Sequence, residues 1–434
     1  MNDLGLHGLI GTPLKILDTL VGQYVVEAGN TISGGDLVDF VNGMVSKYKN
    51  NRLGITHGFT ASRSASSAYN SVGIPLTDTK FVIAYYSGGT QRVHLHVVDT
   101  ANSVEFVFGA EVTTVSTTTI EHTPDLLRLS ATQFLVQTFT EVSLFTVSGT
   151  TLTLTSGWGK NSHPQGLKRI SDTRVVSLSN NSGSLYVQAL DIGATTVTTV
   201  GSMITVHTNA VQRSTPQQEA DICVLTPSEF LVTWVRGSDQ LLMGRVVRLS
   251  GTTYSLLGSE TAIISSIYTT EGVQVHAISS TKAVVAIGRI NSTERVKAAV
   301  LTINTSTGAI AVGTPVQLPT SHYTAGTFNF RLVGILPIHG ATIDDIYIFH
   351  TDAERSPFYA ICKVSGTTIL IEKTIPIISG LSMRKPFAHE YGVVMGRADN
   401  SQAPAVFFAK RIKPMGIAKT GGVAGQTIKA YRFL

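Results

Sequence analysis

The chain consists of short runs in which apolar and polar residues alternate, separated by turns rich in glycine, serine and threonine. Alternation with a period of two is typical of a β-strand with one buried face, whereas an amphipathic helix repeats every 3.6 residues. Thr, Ser, Val and Gly dominate the sequence, and good helix formers are scarce. Both features predict an all-β fold.

One phrase recurs along the chain: an aliphatic residue, a four-residue polar turn, and an apolar run. Each copy predicts the end of one strand, a tight turn and the start of the next strand. The phrase occurs seven times, at intervals of about 40 to 60 residues. The copies lie at residues 76–82, 129–135, 170–176, 225–231 and 278–284 and, in looser form, at 336–348 and 387–393.

A second signal is a Ser-Gly-Thr-Thr turn between two alternating runs, at residues 148–151, 250–253 and 365–368. Related turns occupy the same place in other repeats, at residues 191–194 and 305–308. Together the two signals predict four antiparallel strands in each repeat, with no helix between them. Repeats of this kind are typical of the blades of a β-propeller. We therefore predict a seven-bladed propeller of four-stranded antiparallel blades.

The two ends of the chain predict how the propeller closes. The last repeat runs out after its third strand, at residues 405–412, and a strand at residues 53–60 precedes the first full copy. We expect this N-terminal strand to complete the last blade, which removes both free sheet edges. The propeller then spans residues 51–413, and the flanking residues 1–50 and 414–434 meet in one small β module.

Composition narrows the class of protein. Apolar residues make up 43% of the chain and charged residues 14%, so a large core can be buried. The formal charge is +5, but Lys and Arg are scattered rather than aligned with aromatics, so we expect no nucleic-acid partner. Cys223 and Cys362 lie in different repeats and are expected to be free thiols.

The N-terminal residues lack the basic segment and apolar run of a signal peptide. No apolar stretch approaches the roughly 18 residues that a membrane span needs. We therefore expect the chain to fold in the cytoplasm, without membrane insertion.

The flanks contain Ser-Gly-Gly-Asp-Leu-Val-Asp-Phe-Val-Asn-Gly at residues 33–43 and Gly-Ile-Ala-Lys-Thr-Gly-Gly-Val-Ala-Gly-Gln-Thr-Ile at residues 416–428. These segments resemble segments of bacteriophage and prophage virion proteins. The repeated phrases are also similar to those in propellers of tail- or fibre-associated proteins. The resemblance implies a virion location in a tail, fibre or collar, and an assembly or host-attachment role. It supplies no catalytic residue.

Enzyme chemistry has little support in the sequence. His94 and His96 share one strand face, but no third ligand lies near them in sequence, so we predict no metal site. His163 is interpreted as a turn residue, and neither a nucleophile elbow nor a phosphate-binding glycine loop occurs. Carboxylates from distant blades could still meet across the channel, as in glycosidases. We predict a non-enzymatic protein with no catalytic residue and no cofactor.

The candidate binding residues lie in the loops between the second and third strands of the blades. These loops share a face with the interblade connections, and their polar side chains suit sugar hydroxyls. Trp158, interpreted as a turn residue, could stack on a sugar ring, whereas Trp234 is expected in the core. The predicted ligand-binding residues are Arg92, Trp158, Asn181, Arg236, Asp239, Arg295, Asp352, Arg355, Arg397 and Asp399.

The sequence thus predicts a non-enzymatic phage virion structural protein that binds host-surface carbohydrate through its propeller loops. The terminal module would bind other virion proteins or drive homo-oligomerisation. One alternative is a soluble propeller scaffold for protein–protein interaction, although the Trp-Asp signature of the commonest scaffolding propellers is absent. A glycan-cleaving enzyme is a further alternative.

Overall fold

In the computed structural model the chain divides into two compact units, residues 1–54 with 411–434, and residues 55–410. The structure describes the backbone of residues 21–26, 31–32, 37–41, 44–47, 53–60, 68–77, 79–87, 92–99, 107–114, 124–211, 218–265, 270–290, 296–319, 329–330, 332–337, 344–351, 357–376, 383–389, 392–397, 405–411, 416–418, 422–423 and 427–432. Side chains are described within residues 72–77, 79–86, 92–99, 107–114, 124–211, 218–265, 272–288, 296–319, 334–337, 344–350 and 358–375.

All regular elements of the described residues are β-strands, as the sequence predicts. In chain order they are β1 (Val21–Val26), β2 (Thr31–Ile32), β3 (Leu37–Val41), β4 (Met44–Lys47), β5 (Leu53–Thr60), β6 (Ala68–Pro75), β7 (Lys80–Ser87), β8 (Arg92–Asp99), β9 (Val107–Phe108), β10 (Val112–Thr113), β11 (Asp125–Arg128), β12 (Gln133–Gln137), β13 (Glu141–Ser148), β14 (Thr151–Gly159), β15 (His163–Arg169), β16 (Arg174–Asn181), β17 (Ser184–Ile192), β18 (Val197–His207), β19 (Ala220–Val224), β20 (Glu229–Val235), β21 (Leu242–Ser250), β22 (Thr253–Ile264), β23 (Thr270–Ser279), β24 (Lys282–Ile290), β25 (Lys297–Ile303), β26 (Ile310–Val312), β27 (Val316–Gln317), β28 (Asn329–Phe330), β29 (Leu332–Pro337), β30 (Asp345–Thr351), β31 (Pro357–Ser365), β32 (Thr368–Pro376), β33 (Met383–His389), β34 (Gly392–Arg397), β35 (Ala405–Arg411), β36 (Gly416–Ala418), β37 (Gly422–Val423) and β38 (Thr427–Arg432).

The first unit combines strands from both ends of the chain. Strands β1, β38, β36, β3 and β4 form a closed barrel in that order, and β2 pairs with β37 in a separate two-stranded sheet. Strand β1 is antiparallel to β38, with Val21 opposite Tyr431, and parallel to β4. Backbone hydrogen bonds therefore join the N-terminal and C-terminal segments within one barrel.

The second unit contains, within its described residues, seven sheets in chain order. They are sheet I (β6 to β10), sheet II (β11 to β14), sheet III (β15 to β18), sheet IV (β19 to β22), sheet V (β23 to β28), sheet VI (β29 to β32) and sheet VII (β33, β34, β35 and β5). Sheets II, III, IV and VI each hold four consecutive antiparallel strands, which confirms the predicted four-stranded repeat. Sheets I and V carry additional short strands.

The recurring phrase forms the turn between the first and second strands of a sheet. The amide N–H of its leading aliphatic residue donates to a carbonyl four residues later, from Leu76 to Lys80, from Leu129 to Gln133 and, in the same way, from Leu225 to Glu229. A Ser or Thr hydroxyl at the second position accepts a backbone N–H inside the turn, as in other Ser/Thr turns. The polar residues of the phrase thus fix the turn, and its apolar residues enter the core.

Neighbouring sheets pack face to face. A separate hydrophobic cluster fills each interface between consecutive sheets from I to VI. The first strand of each sheet lies beside the first strand of the next, from β6 through β11, β15, β19, β23 and β29 to β33, and β33 lies beside β6. This stacking of four-stranded sheets makes the second unit propeller-like.

The sheets also touch through glycines in or next to their outer strands. A Cβ atom on Gly201 of β18 would overlap the carbonyl oxygen of Thr252, in the Ser-Gly-Thr-Thr turn of sheet IV. Gly313 meets Thr367 in the same way, in the corresponding turn of sheet VI. The turn of one sheet therefore approaches the preceding sheet so closely that only glycine fits.

Candidate functional site

The structure describes only part of the predicted binding set. Arg92 is exposed at the start of β8, Asn181 is exposed at the end of β16, and Arg236 and Asp239 lie in the turn between β20 and β21. Arg397 ends β34, with a side chain that is not described. The remaining predicted residues, Arg295, Asp352, Arg355 and Asp399, lie outside the described residues.

The interpretation of Trp158 as a turn residue is wrong. Trp158 lies within β14, opposite Val142 of β13, and is half-buried against a hydrophobic cluster shared by sheets II and III. The flanking glycines suggested a turn, but a bulge opposite Leu144 and Phe145 accommodates this segment within the strand. Trp158 is therefore packed against the core between two sheets.

The predicted turns of sheets III and IV are brought together by the segment that connects the two sheets. Gly183, in the turn after Asn181, accepts a hydrogen bond from the amide of Ala210 at 2.8 Å. Gly237, in the turn after Arg236, donates to the carbonyl of Asn209 at 2.6 Å. Both turns are thus fixed to residues 208–211, and we call this surface the III–IV face.

Polar side chains line the III–IV face. Asn181 and Asn209 are exposed. Arg236 Nε donates to Asp239 Oδ1 at 3.0 Å, and this hydrogen bond lowers the pKa of the Asp239 carboxyl. The same bond raises the pKa of Arg236, to which the Glu260 carboxylate also contributes. The face therefore offers amide, guanidinium and carboxylate groups with nearly balanced charge.

A second group of side chains, which the sequence did not predict, lies beside this face. His207, at the end of β18, places Nδ1 2.8 Å from Glu260 Oε1 of β22. The His207 ring packs on Trp234 of β20, with the ring centroids 5.1 Å apart. Trp234 is fully buried, which confirms that it is a core residue. Because these residues belong to three strands of two sheets, no local sequence pattern could have brought them together.

Two nitrogen atoms of this group have no hydrogen-bond partner among the residues that the structure describes. They are Trp234 Nε1 and His207 Nε2, and both are buried. A buried polar group without a partner costs about 1 to 3 kcal/mol. Such a cost in an otherwise well-packed interface favours a binding role for the group.

Charged groups also lie on the innermost strands. Asp125 of β11 accepts the amide of Leu167 at 2.8 Å, and Asp221 of β19 accepts the amide of Val275 at 2.9 Å. Each carboxylate thus accepts a backbone N–H from the first strand of the next sheet. Lys168 Nζ lies 3.3 Å from Asp221 Oδ1, so it offsets the charge of that buried carboxylate. These two carboxylates join neighbouring sheets.

The histidine pair of sheet I has a carboxylate partner that the sequence did not place. Glu111 lies 3.0 Å from His94 Nδ1 and 3.1 Å from His96 Nε2, and it accepts a hydrogen bond from the Tyr85 hydroxyl at 2.6 Å. The described residues contain no group of three or more His, Cys, Asp or Glu side chains that could hold a metal ion. Hydrogen bonds through Glu111 thus tie the outer edge of sheet I to its central strands.

Two further expectations concern thiols and membranes. Cys223 and Cys362 are free and buried, as predicted, and burial raises the pKa of Cys362 to about 12. Within the described ranges, no helix has the length and hydropathy needed to cross a membrane.

Acid is expected to destabilise the protein through two histidines. Burial lowers the pKa of His163 to about 4, and the charge of Lys160 contributes. Burial also lowers the pKa of His276 to about 4, and there the charge of Lys168 contributes. Between pH 6.5 and 4 the unfolded chain binds protons at both imidazoles and the folded chain does not, so stability falls as the pH falls through this window. The urea midpoint of wild type should therefore decrease from pH 7 to pH 4 more steeply than that of the double variant His163→Phe and His276→Leu. Parallel curves would contradict this assignment.

Comparison with known proteins gives a likeness of fold alone. No family model matches the chain, and no curated protein matches its sequence. The chain is similar to a protein from Lactobacillus plantarum of known structure, at 13% identity and a TM-score of 0.50, over 81% of this chain and 99% of that chain. It is also similar to a functionally unknown protein from Desulfotomaculum acetoxidans DSM 771, at 8% identity and a TM-score of 0.48, over 76% of this chain and 99% of that chain.

Proposed function

We propose that residues 55–410, closed by the N-terminal strand β5, form a seven-bladed propeller whose III–IV face binds a glycan. We further propose that the chain is a non-enzymatic structural component of a phage particle. The observation that carries the first proposal is the hydrogen-bonded connection that fixes the turns of sheets III and IV to each other.

The order of the innermost strands supports a closed ring. Seven sheets follow one another, each first strand lies beside the next, and β33 lies beside β6. Strand β5, from the N-terminal part of the chain, is the outer strand of sheet VII. A ring completed by strands from both ends of the chain leaves no sheet interface uncovered.

The chemistry of the III–IV face supports a glycan as the ligand. The exposed amides of Asn181 and Asn209 both donate and accept hydrogen bonds, as sugar hydroxyls do. Backbone hydrogen bonds at Gly183 and Gly237 hold both turns in place, so little conformational entropy is lost when a ligand binds. Near-neutral charge, through the Arg236 and Asp239 pair, suits an uncharged polyhydroxyl ligand.

The particle setting is supported by the flanking segments. Residues 33–43 and 416–428 resemble segments of virion proteins, and strands from both terminal regions share one barrel. Virion components assemble as symmetric oligomers or onto a partner. We therefore expect light scattering of the purified full-length chain to give a multiple of the monomer mass. A monomer at every concentration, with no assembly when other virion proteins are added, would favour the scaffold alternative.

Glycan binding is tested on an array of purified bacterial surface polysaccharides. We expect the fluorescently labelled chain to bind at least one polysaccharide saturably, and we expect free polysaccharide to compete. Periodate oxidation of the bound glycan, which cleaves vicinal diols, should abolish the signal. Absence of binding across the array at micromolar protein would overturn the proposed glycan-binding function.

A further inference from the structure

The unpartnered nitrogens of Trp234 and His207 present complementary hydrogen-bonding groups. The indole Nε1–H of Trp234 can only donate a hydrogen bond. His207 Nδ1 lies 2.8 Å from the Glu260 carboxylate, which accepts a hydrogen bond, so this contact fits the imidazole tautomer with its proton on Nδ1. His207 Nε2 is then left with a lone pair and acts as an acceptor. One donor and one acceptor thus lie on rings whose centroids are 5.1 Å apart.

A single hydroxyl group has both functions that the two nitrogens require. Its O–H can donate to His207 Nε2 while its oxygen accepts from Trp234 Nε1. A carboxylate or the dianion of a phosphate monoester has no hydrogen to give to the imidazole, and an ammonium group cannot accept from the indole. The nearby Glu260 carboxylate further disfavours an anionic ligand.

We propose that His207 and Trp234 form a subsite for one hydroxyl group of a neutral sugar. This inference rests on the proposed glycan-binding function, since it assigns one hydroxyl of that ligand to a particular pair of atoms. The III–IV face would contact the rest of the sugar, and the subsite would select sugars with a free hydroxyl at the matching position.

The exposure of the side chains shows where the hydroxyl would enter. The side chains of Glu260 and His207 are 26% and 12% exposed, whereas Trp234 is fully buried. The turn at residues 236–241 follows the strand that carries Trp234, and its Gln240 has a left-handed φ of 57°. Gln240 Oε1 is also buried, with no hydrogen-bond partner among the described residues. The hydroxyl would reach the two nitrogens as this strained turn moves outward, and Gln240 would then offer a further acceptor.

The experiment uses the indole N–H signals of the full-length protein labelled with ¹⁵N-tryptophan. The chain has two tryptophans, so the variant Trp158→Phe assigns the signal of Trp234. The probes are the methyl glycosides of glucose, galactose, mannose and N-acetylglucosamine, with acetate as an anionic control that carries no hydroxyl group. Each is added to about 50 mM, well above the roughly millimolar Kd of a weak site. We expect at least one neutral glycoside to shift the Trp234 signal saturably, and acetate to leave it unchanged.

Two changes then identify the hydroxyl and its acceptor. Among the monodeoxy forms of the binding sugar, one should bind at least about tenfold more weakly. His207→Phe keeps an aromatic ring against Trp234 and removes the acceptor, so it should weaken the parent sugar by a similar factor. In this variant the deoxy change should weaken binding by less than it does in wild type, because the hydrogen bond to His207 is already absent and only the one from Trp234 Nε1 remains to be lost. Thr199→Val, at an exposed position of the same strand, is the matched control and should bind like wild type.

The outcomes separate this subsite from the function on which it rests. A sugar that binds without shifting the Trp234 signal, or that is insensitive to His207→Phe, overturns the subsite and leaves glycan binding intact. A shift caused by acetate alone overturns the choice of a neutral hydroxyl. No response from any glycoside, nor from the polysaccharides of the array, overturns both proposals.

Discussion

Replacing Gly201 with alanine is expected to lower the free energy of unfolding by at least about 3 kcal/mol. The added Cβ would overlap the carbonyl oxygen of Thr252 in the adjacent sheet, and the backbone φ of 66° at Gly201 disfavours any side chain. The turn of sheet IV cannot retreat without opening the packed interface between the two sheets. Urea unfolding followed by circular dichroism measures the loss.

Three other glycines separate the causes of this effect. In Gly313→Ala the added Cβ would overlap the Thr367 carbonyl oxygen, but the backbone φ is not positive. The loss of stability in this variant should therefore come from the steric overlap alone. Gly251→Ala has a φ of 61° and open space around the added Cβ, so it should cost only about 1 to 2 kcal/mol. Gly159→Ala has neither feature and should change stability by less than about 0.5 kcal/mol. Equal effects at all four positions would contradict close packing between neighbouring sheets.

Asp221→Ala is expected to lower the free energy of unfolding by about 3 to 5 kcal/mol. The Asp221 side chain is fully buried, accepts the Val275 amide at 2.9 Å and lies 3.3 Å from Lys168 Nζ. Its removal leaves a backbone donor and an ammonium group without their partner.

Burial lowers the pKa of Lys168, but the Asp221 and Asp125 carboxylates outweigh it and leave that pKa above 10.5. The stabilisation from the ion pair of Lys168 with Asp221 is therefore complete below pH 10.5 and is lost as the pH rises through the pKa of Lys168 in the folded protein.

A second substitution tests the origin of this loss. The double variant Asp221→Ala and Lys168→Met should recover part of the stability, because it removes the unpaired buried charge. Asp239→Ala, which breaks an exposed ion pair in the turn of sheet IV, should leave the urea midpoint unchanged. If Asp221→Ala had as little effect as Asp239→Ala, Asp221 would not join sheets IV and V as described.

The sequence predicted the repeat because each repeat carries its own local signals. The phrase at residues 129–135 contains both its Ser/Thr turn and the apolar strand that follows, so its structure depends on neighbours along the chain. Trp158 was wrongly interpreted because the Gly-Trp-Gly segment has turn composition, while a bulge and packing between sheets keep it in a strand. Tertiary contacts outweighed local preference there.

Only part of the candidate site could be predicted from the sequence, because the rest depends on contacts between sheets. Asn181 and Arg236 were predicted because polar residues at strand ends are visible locally. His207 and Glu260 lie 53 residues apart and meet only when sheets III and IV pack. No local sequence pattern indicates that contact. The environment of Trp234 Nε1 depends on the same packing of sheets, so the sequence could not predict that this nitrogen lacks a partner among the described residues.

Titration of the polysaccharide that binds on the array, with two double variants at opposite ends of sheets III and IV, tests whether the glycan site lies on the III–IV face. Asn181→Ala with Asn209→Ala removes two exposed amides from the III–IV face and leaves its backbone hydrogen bonds in place. Ser250→Ala with Thr253→Ala changes exposed residues of the hairpin at the other end of sheet IV. We expect the first pair to weaken binding by about tenfold or more and the second to match wild type. Undiminished binding by the first pair, in a folded protein, would contradict the assignment of the glycan site to this face.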